Sequence, residues 1–97
     1  MASPNRTTEA QQMAQTLGIV LGAASCCEQV TEERVNAVAV KLRQLVSVAA
    51  DGAADADAAD EQFSAALKAG KAAVEVGRID PQQAEAALTE IEQQLYV

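Results

Sequence analysis

The chain has 97 residues and a formal net charge of −7, and its composition includes no histidine. This length fits one domain, and an apolar content of 49% argues against a disordered chain. The negative charge repels phosphate backbones and anionic lipids, so we expect neither nucleic acid nor a membrane as a partner. The missing imidazole excludes Ser–His–Asp and Cys–His catalysis, and also the common zinc sites built on histidine.

Alanine supplies much of the apolar content, and the alternating β-branched and aromatic residues typical of strands are absent. Four helical segments joined by short links predict an all-α fold, a small antiparallel four-helix bundle. The alternative is a three-helix bundle in which the second and third helices are fused. Residues 1–8 are predicted to form a flexible lead-in, and residues 9–97 a single helical-bundle domain.

The first helix is predicted over about residues 9–28, after an N-cap at Thr7 or Thr8. Its core-facing row recurs at helical intervals and comprises Ala10, Met13, Leu17, Val20, Ala24 and Cys27. A second row, of small residues, predicts close contact with a neighbouring backbone and comprises Ala14, Gly18, Gly22 and Cys26. Because residues 17–27 are apolar on nearly every side, we expect this helix at the centre of the bundle or against a second copy.

The second helix is predicted over residues 31–50, with an N-cap at Thr31 and a stop at Asp51 and Gly52. The links at residues 28–31 and 77–80 are only a few residues long, so we expect consecutive helices to lie side by side. The inward row of the second helix comprises Val35, Val38, Leu42, Leu45 and Ala49, widened by Ala39 and Val46.

The third helix is expected to begin between Asp55 and Asp60 and to end before Gly77, with Phe63 near the middle of the core. Its inward row comprises Ala59, Phe63, Ala66, Leu67, Gly70, Ala73 and Val74. Four acidic residues near its start are Asp55, Asp57, Asp60 and Glu61. They are interpreted as a helix start favoured by the helix dipole, with weak cation binding as the alternative.

The fourth helix is predicted from the sequence Asp80-Pro81, in which Asp80 is the N-cap and Pro81 lies in the first turn. It is expected to run to about residue 95 with an inward row of Ala84, Ala87, Leu88, Ile91 and Leu95. The residues expected to face solvent are Glu85, Glu90 and Glu92. Tyr96 and Val97 are expected to follow as a short apolar tail.

The sequence indicates no catalytic residue, no cofactor and no small-molecule substrate. We therefore expect a non-enzymatic helical protein–protein interaction module that binds a protein partner or forms a homodimer. Four apolar residues outside the inward rows are the interface candidates, namely Ile19, Val40, Val48 and Val76. The alternative account is that four-helix packing uses wide faces, or that single apolar residues are simply exposed.

Cys26 and Cys27 are adjacent, and neighbouring helical residues do not form a disulfide with each other. This fits a reducing cytoplasm, where buried cysteine acts as a compact apolar side chain. The alternative function is a thiol-based redox or soft-metal-binding module, in which two chains supply four thiolates from Cys26 and Cys27. A further alternative is export with cleavage near Cys26, because the apolar run before it resembles the end of a bacterial lipoprotein signal.

Overall fold

The computed structural model describes residues 8–95, which contain four α-helices and no strand. The helices are α1 (Glu9–Ala24), α2 (Glu32–Ala49), α3 (Ala53–Glu75) and α4 (Pro81–Leu95). The all-α four-helix bundle expected from the sequence is therefore confirmed. The predicted lead-in, apart from Thr8, and the predicted apolar tail lie outside the described residues, as does Thr7.

The alternative with fused second and third helices is wrong, because the backbone turns sharply between α2 and α3. Ala50 is extended, with φ −69° and ψ 146°, and Gly52 has φ 102°. A positive φ of this size suits glycine and interrupts any continuous helix. The turn also lets α3 begin at Ala53, before the predicted interval.

Side chains cap three of the helix starts at the predicted positions. The Thr8 hydroxyl accepts from the Gln11 backbone N–H at 3.2 Å, and the Thr31 hydroxyl accepts from the Arg34 N–H at 3.1 Å. Asp80 Oδ1 accepts from the Gln82 N–H at 2.9 Å. Each bond satisfies a backbone donor that the first helical turn leaves unpaired.

The end of α3 is also as predicted. Gly77 has φ 77° and donates its N–H to the Val74 carbonyl at 3.1 Å, while Arg78 donates to the Ala73 carbonyl at 2.8 Å. This pair of bonds is the Schellman arrangement, which satisfies two of the last carbonyls of the helix.

The first helix ends at Ala24, four residues before the predicted end. The backbone N–H groups of Cys26 and Cys27 bond to the carbonyls of Ala23 and Ala24, three residues earlier, at 3.2 and 2.9 Å. The Ser25 hydroxyl donates to the Gly22 carbonyl at 2.6 Å. Bonds between residues three apart replace those four apart that an α-helix requires, so the α-helix stops before the apolar sequence ends.

The central contact of the bundle is between α1 and α3, which run parallel. Gln15 Nε2 donates to Gln62 Oε1 at 2.8 Å, and the Thr8 hydroxyl donates to Asp55 Oδ1 at 2.8 Å, both across 47 positions. Contact partners therefore advance together along the two helices. Alternating helix directions produce this parallel relation between a first and a third helix.

Glycines allow α1 and α3 to approach this closely, as the row of small residues in the first helix predicts. A Cβ added at Gly22 would lie 2.1 Å from the Leu67 carbonyl oxygen, and one at Gly70 would lie 2.3 Å from the Ile19 carbonyl oxygen. One at Gly18 would lie 2.6 Å from the Ala66 Cβ. The two backbones pack directly on each other at these positions.

The described core surrounds α1, which contacts each of the other three helices. The largest fully buried side chains are Leu21, Val38, Leu42, Phe63 and Leu88. Phe63 is thus in the core as expected. The expectation that consecutive helices pack side by side does not extend to α3 and α4, which barely touch although their link is short.

The predicted inward row of α2 is partly wrong. Leu45 is 42% exposed and Ala49 is exposed, while Val46 is buried together with Val38 and Leu42. The three buried residues are spaced four apart, and a row with that spacing is inclined to the helix axis. An inclined row buries Val46 in place of Leu45 and turns Leu45 outward.

Candidate interaction surfaces

The four interface candidates from the sequence lie on two different surfaces. Val40 and Val48 are 57% and 86% exposed on the side of α2 that points away from the core. Ile19 is half-buried on α1, and Val76, at the end of α3, is 69% exposed. Val40 and Val48 therefore share one face of α2, whereas Ile19 and Val76 border two separate depressions that have only Ala69 in common.

We name the first surface the α2 outward face and define it by Ala37, Val40, Leu45 and Val48, all of which are exposed. Leu45 and Val48 line a shallow depression of about 310 Å³ together with Leu95 of α4 and the polar residues Lys41 and Gln44. Sequence reasoning missed Leu45 because its spacing assigned it to the core. Val40 and Val48, which flank Leu45 in the sequence and were predicted to lie outside the core, were the signal that Leu45 also faces outward.

We name the second surface the α1–α3 outer face and define it by Ile19, Ala65, Ala69, Ala72 and Val76. Ile19, Ala65 and Ala69 line one depression of about 240 Å³. Ala69, Ala72 and Val76 line a second one of about 570 Å³. Sequence reasoning missed the three alanines, although their spacing of four and three residues, continued by Val76, marks a second apolar side of α3.

A charged cluster joins α2 to α4 through Arg34. Its Nη1 donates to Glu85 Oε1 at 3.2 Å, its Nε donates to Glu92 Oε1 at 2.9 Å, and its Nη2 donates to both Glu92 and the Thr89 hydroxyl. The hydrogen bonds that Arg34 donates to Glu92 and then to Glu85 raise the pKa of Arg34 above its usual value. The prediction that Glu85 and Glu92 face solvent is wrong, because a guanidinium on another helix draws both inward.

The acidic cluster at the start of α3 is engaged within the chain at Asp55. Its Oδ2 accepts from the Asp51 backbone N–H at 2.9 Å, and its Oδ1 accepts from the Thr8 hydroxyl and from Gln11 Nε2. The bond from Asp51, followed by that from Thr8, holds the pKa of Asp55 below its ordinary range. This carboxylate ties the α2–α3 turn to the start of α1.

Arg43 covers the central aromatic residue of the core. Its guanidinium lies 5.6 Å from the centroid of the Phe63 ring, and its Nε is 3.4 Å from Asp60 Oδ1. These residues border a cleft of about 280 Å³ between α2 and α3. The cation–π contact and the ion pair close the solvent side of the core at this point.

The two cysteines lie in different environments. Cys27 is 9% exposed and belongs to the core, whereas Cys26 is exposed and its thiol donates to the Gly22 carbonyl at 3.7 Å. Cys26 borders a cleft of about 460 Å³ with Lys71 and Glu32. Across residues 8–95 no three Cys, Asp or Glu side chains gather as metal ligands. The redox or soft-metal function requires thiolates from two chains, and it stays a prediction.

No protein-family model matches the chain, and comparisons with curated proteins and with solved structures found no match. None of the helices in the described part of the chain has both the length and the apolar character needed to cross a bilayer.

Proposed function

We propose that this protein is a non-enzymatic helical interaction module of the cytoplasm that presents the α2 outward face to another protein. The observation that carries the proposal is the concentration of exposed apolar side chains on one helix. Val40, Leu45 and Val48 are three of the four large apolar residues exposed in residues 8–95.

None of these three side chains belongs to the buried core cluster of residues 8–95. The helix α2 is anchored by Val38, Leu42 and Val46, and its outward residues make no contribution to that core. Valine is also a poorer helix former than the polar residues that usually occupy such positions. Covering a valine or leucine side chain gains about 1.5–3 kcal/mol, so a partner that buries this face gains substantial binding energy.

The shape of the face indicates the kind of partner. Ala37 and Val48 are eleven residues apart, which is roughly 16 Å along a helix. One helical ridge of this length fits against an amphipathic helix or a groove between two helices of the partner. The rim of this face is polar, because Lys41 and Gln44 line the depression beside Leu45 and Val48.

A non-enzymatic role is supported by the state of the charged groups. Arg34 and Asp55, the two described groups whose pKa is shifted, each make several hydrogen bonds to other parts of the chain. Groups held in this way stabilise helix positions and have little freedom to exchange protons with a substrate.

The test is position-specific photo-crosslinking in cells of the source organism. A crosslinking amino acid at Val40 or at Val48 is expected to capture the same protein, and purified partner is then expected to bind the wild-type chain. Gln83, which is exposed on α4, is the matched control position. Adducts that are equal at all three positions, or absent from Val40 and Val48, would contradict the proposal.

A further inference from the structure

The α1–α3 outer face carries almost no charge, and it is not part of the surface that we propose for the partner of α2. Its two depressions adjoin at Ala69, and the residues lining them carry a single charge, on Arg78. Neutral surface of this extent is notable in a chain with a net charge of −7. Two such chains repel each other least where their neutral faces meet.

One edge of this face carries Asp57 and three further exposed charges. Glu61, Lys68 and Glu75 follow each other at seven-residue intervals along α3, and Asp57 lies four residues before Glu61. Seven residues are close to two helical turns, so the three side chains lie on one line about 10.5 Å apart. The opposite edge of α3 packs against α1.

We infer that this face binds a second copy of the chain, with α3 antiparallel to α3 about a two-fold axis near Ala65. An axis between Ser64 and Ala65 places Glu61 of each copy level with Lys68 of the other. The same axis position gives the fullest overlap of the two helices, because the midpoint of Ala53–Glu75 is Ser64. This register combines the greatest overlap with two Glu61–Lys68 pairs, and it sets Glu75 of each copy level with Ala54 of the other, about 4.5 Å along the axis from Asp57.

The other registers are less favourable. An axis at Lys68 brings the two Lys68 side chains together and sets Glu61 against Glu75, so like charges meet along the edge. An axis near Ala72 pairs Lys68 with Glu75, but it overlaps only about eight residues of each α3, roughly 12 Å of helix. In a parallel arrangement each charged residue lies beside the same residue of the other copy, so like charges meet.

The residues at the proposed axis permit close packing. Ala65 faces its counterpart, and alanine at a crossing allows an interaxial distance near the lower end of about 8–10 Å. Because α1 runs parallel to α3 with an offset of 47 positions, the axis is level with residues 17 and 18 of α1. Ile19 then lies about 2 Å along the helix from the axis, where the two copies bury it. This face is distinct from the α2 outward face.

The test measures the dimer dissociation constant by sedimentation equilibrium from low to high micromolar concentration. Lys68→Glu and Glu61→Lys are each expected to weaken the dimer about 30-fold, because two attractive pairs become repulsive. The double variant with both changes is expected to restore the wild-type value. Lys71→Glu is the control, since it makes the same charge change on another side of α3, beside Cys26.

A second measurement identifies the contact directly. In an equimolar mixture of isotopically light and heavy chains, a zero-length carbodiimide is expected to join Glu61 of one chain to Lys68 of the other. Within one helix these side chains are about 10.5 Å apart along the axis, so a crosslink between them reports the second copy. Ala65→Glu is expected to abolish both the crosslink and the dimer while circular dichroism shows an unchanged helix content.

Three outcomes would overturn the inference. They are a wild-type chain that stays monomeric at high micromolar concentration, an equal response to Lys68→Glu and Lys71→Glu, and a dimer that survives Ala65→Glu. A dimer lost through Val48→Gln but kept in Ala65→Glu places self-association on α2. That last result contradicts this inference and leaves the proposed role of the α2 outward face standing.

Discussion

Replacing Gly22 with alanine tests the contact that holds the bundle together. The added Cβ would lie 2.1 Å from the Leu67 carbonyl oxygen and 2.9 Å from the Leu67 Cα. Ordinary contact requires well over 3 Å, so α1 and α3 must separate by roughly 1 Å. The obstacle is backbone, which has no side-chain rotamer to yield.

The magnitude follows from two opposing effects. Overpacking a tight interior costs about 1–3 kcal/mol, and more where the backbone must move. Alanine in place of glycine within a helix returns about 1 kcal/mol through its higher helix propensity. Because the clash at Gly22 involves main-chain atoms, we expect Gly22→Ala to lower the free energy of unfolding by about 2 kcal/mol.

The assay is urea unfolding followed by far-ultraviolet circular dichroism, with the midpoint expected to fall by about 1–2 M. Ala86→Gly is the matched control, because Ala86 is exposed within α4 and the change reports helix propensity alone. That control is expected to cost about 1 kcal/mol. If Gly22→Ala equals or exceeds the wild type in stability, the close approach of α1 and α3 is refuted.

Three further predictions concern the charged cluster, the acidic turn and the cysteines. Arg34→Met is expected to lower the free energy of unfolding by about 1–3 kcal/mol in urea, because two half-buried glutamates of α4 lose their cation. An unchanged urea midpoint would refute the link that Arg34 makes between α2 and α4. The pKa of Asp55 is lower in the folded state than in the unfolded state. Its contribution to the free energy of unfolding is therefore complete above the unfolded pKa and is lost as pH falls through the folded pKa. Asp55→Asn is therefore expected to flatten the acid limb of a stability–pH curve, and an unaltered limb would contradict the assignment. Cys27→Ser is expected to cost about 1–3 kcal/mol through an unsatisfied buried hydroxyl, whereas Cys26→Ser is expected to stay within about 0.5 kcal/mol; equal effects would refute their different burial.

Local features of the fold were predictable because their causes are close in sequence. The caps at Thr8, Thr31 and Asp80 each act on a backbone group two or three residues away. The left-handed residue Gly77 ends α3 for the same kind of reason. Such features need only the identity of a few neighbours, and the number and type of the helices follow from them.

Features that depend on how helices cross were not predictable from spacing alone. Leu45 and Val46 both fit an apolar row, and only the inclination of α2 decides which is buried. Glu85 and Glu92 turn inward because Arg34 approaches from another helix, 51 and 58 positions away. No periodicity within α4 carries that information.

The candidate surfaces divide in the same way. Val40 and Val48 were found from the sequence because they fall outside the inward row of their own helix. The outer face of α3 was missed because alanine is compatible with both core and surface. Its exposure is set by the position of α1, which covers only one side of α3.

The measurement that tests the central claim most directly is crosslinking from Val48 compared with crosslinking from Gln83. We predict that one protein is captured at Val48 and again at Val40, and that Gln83 gives only background. Capture that does not depend on position, or no capture at the valines, would show that α2 is not a protein-binding helix.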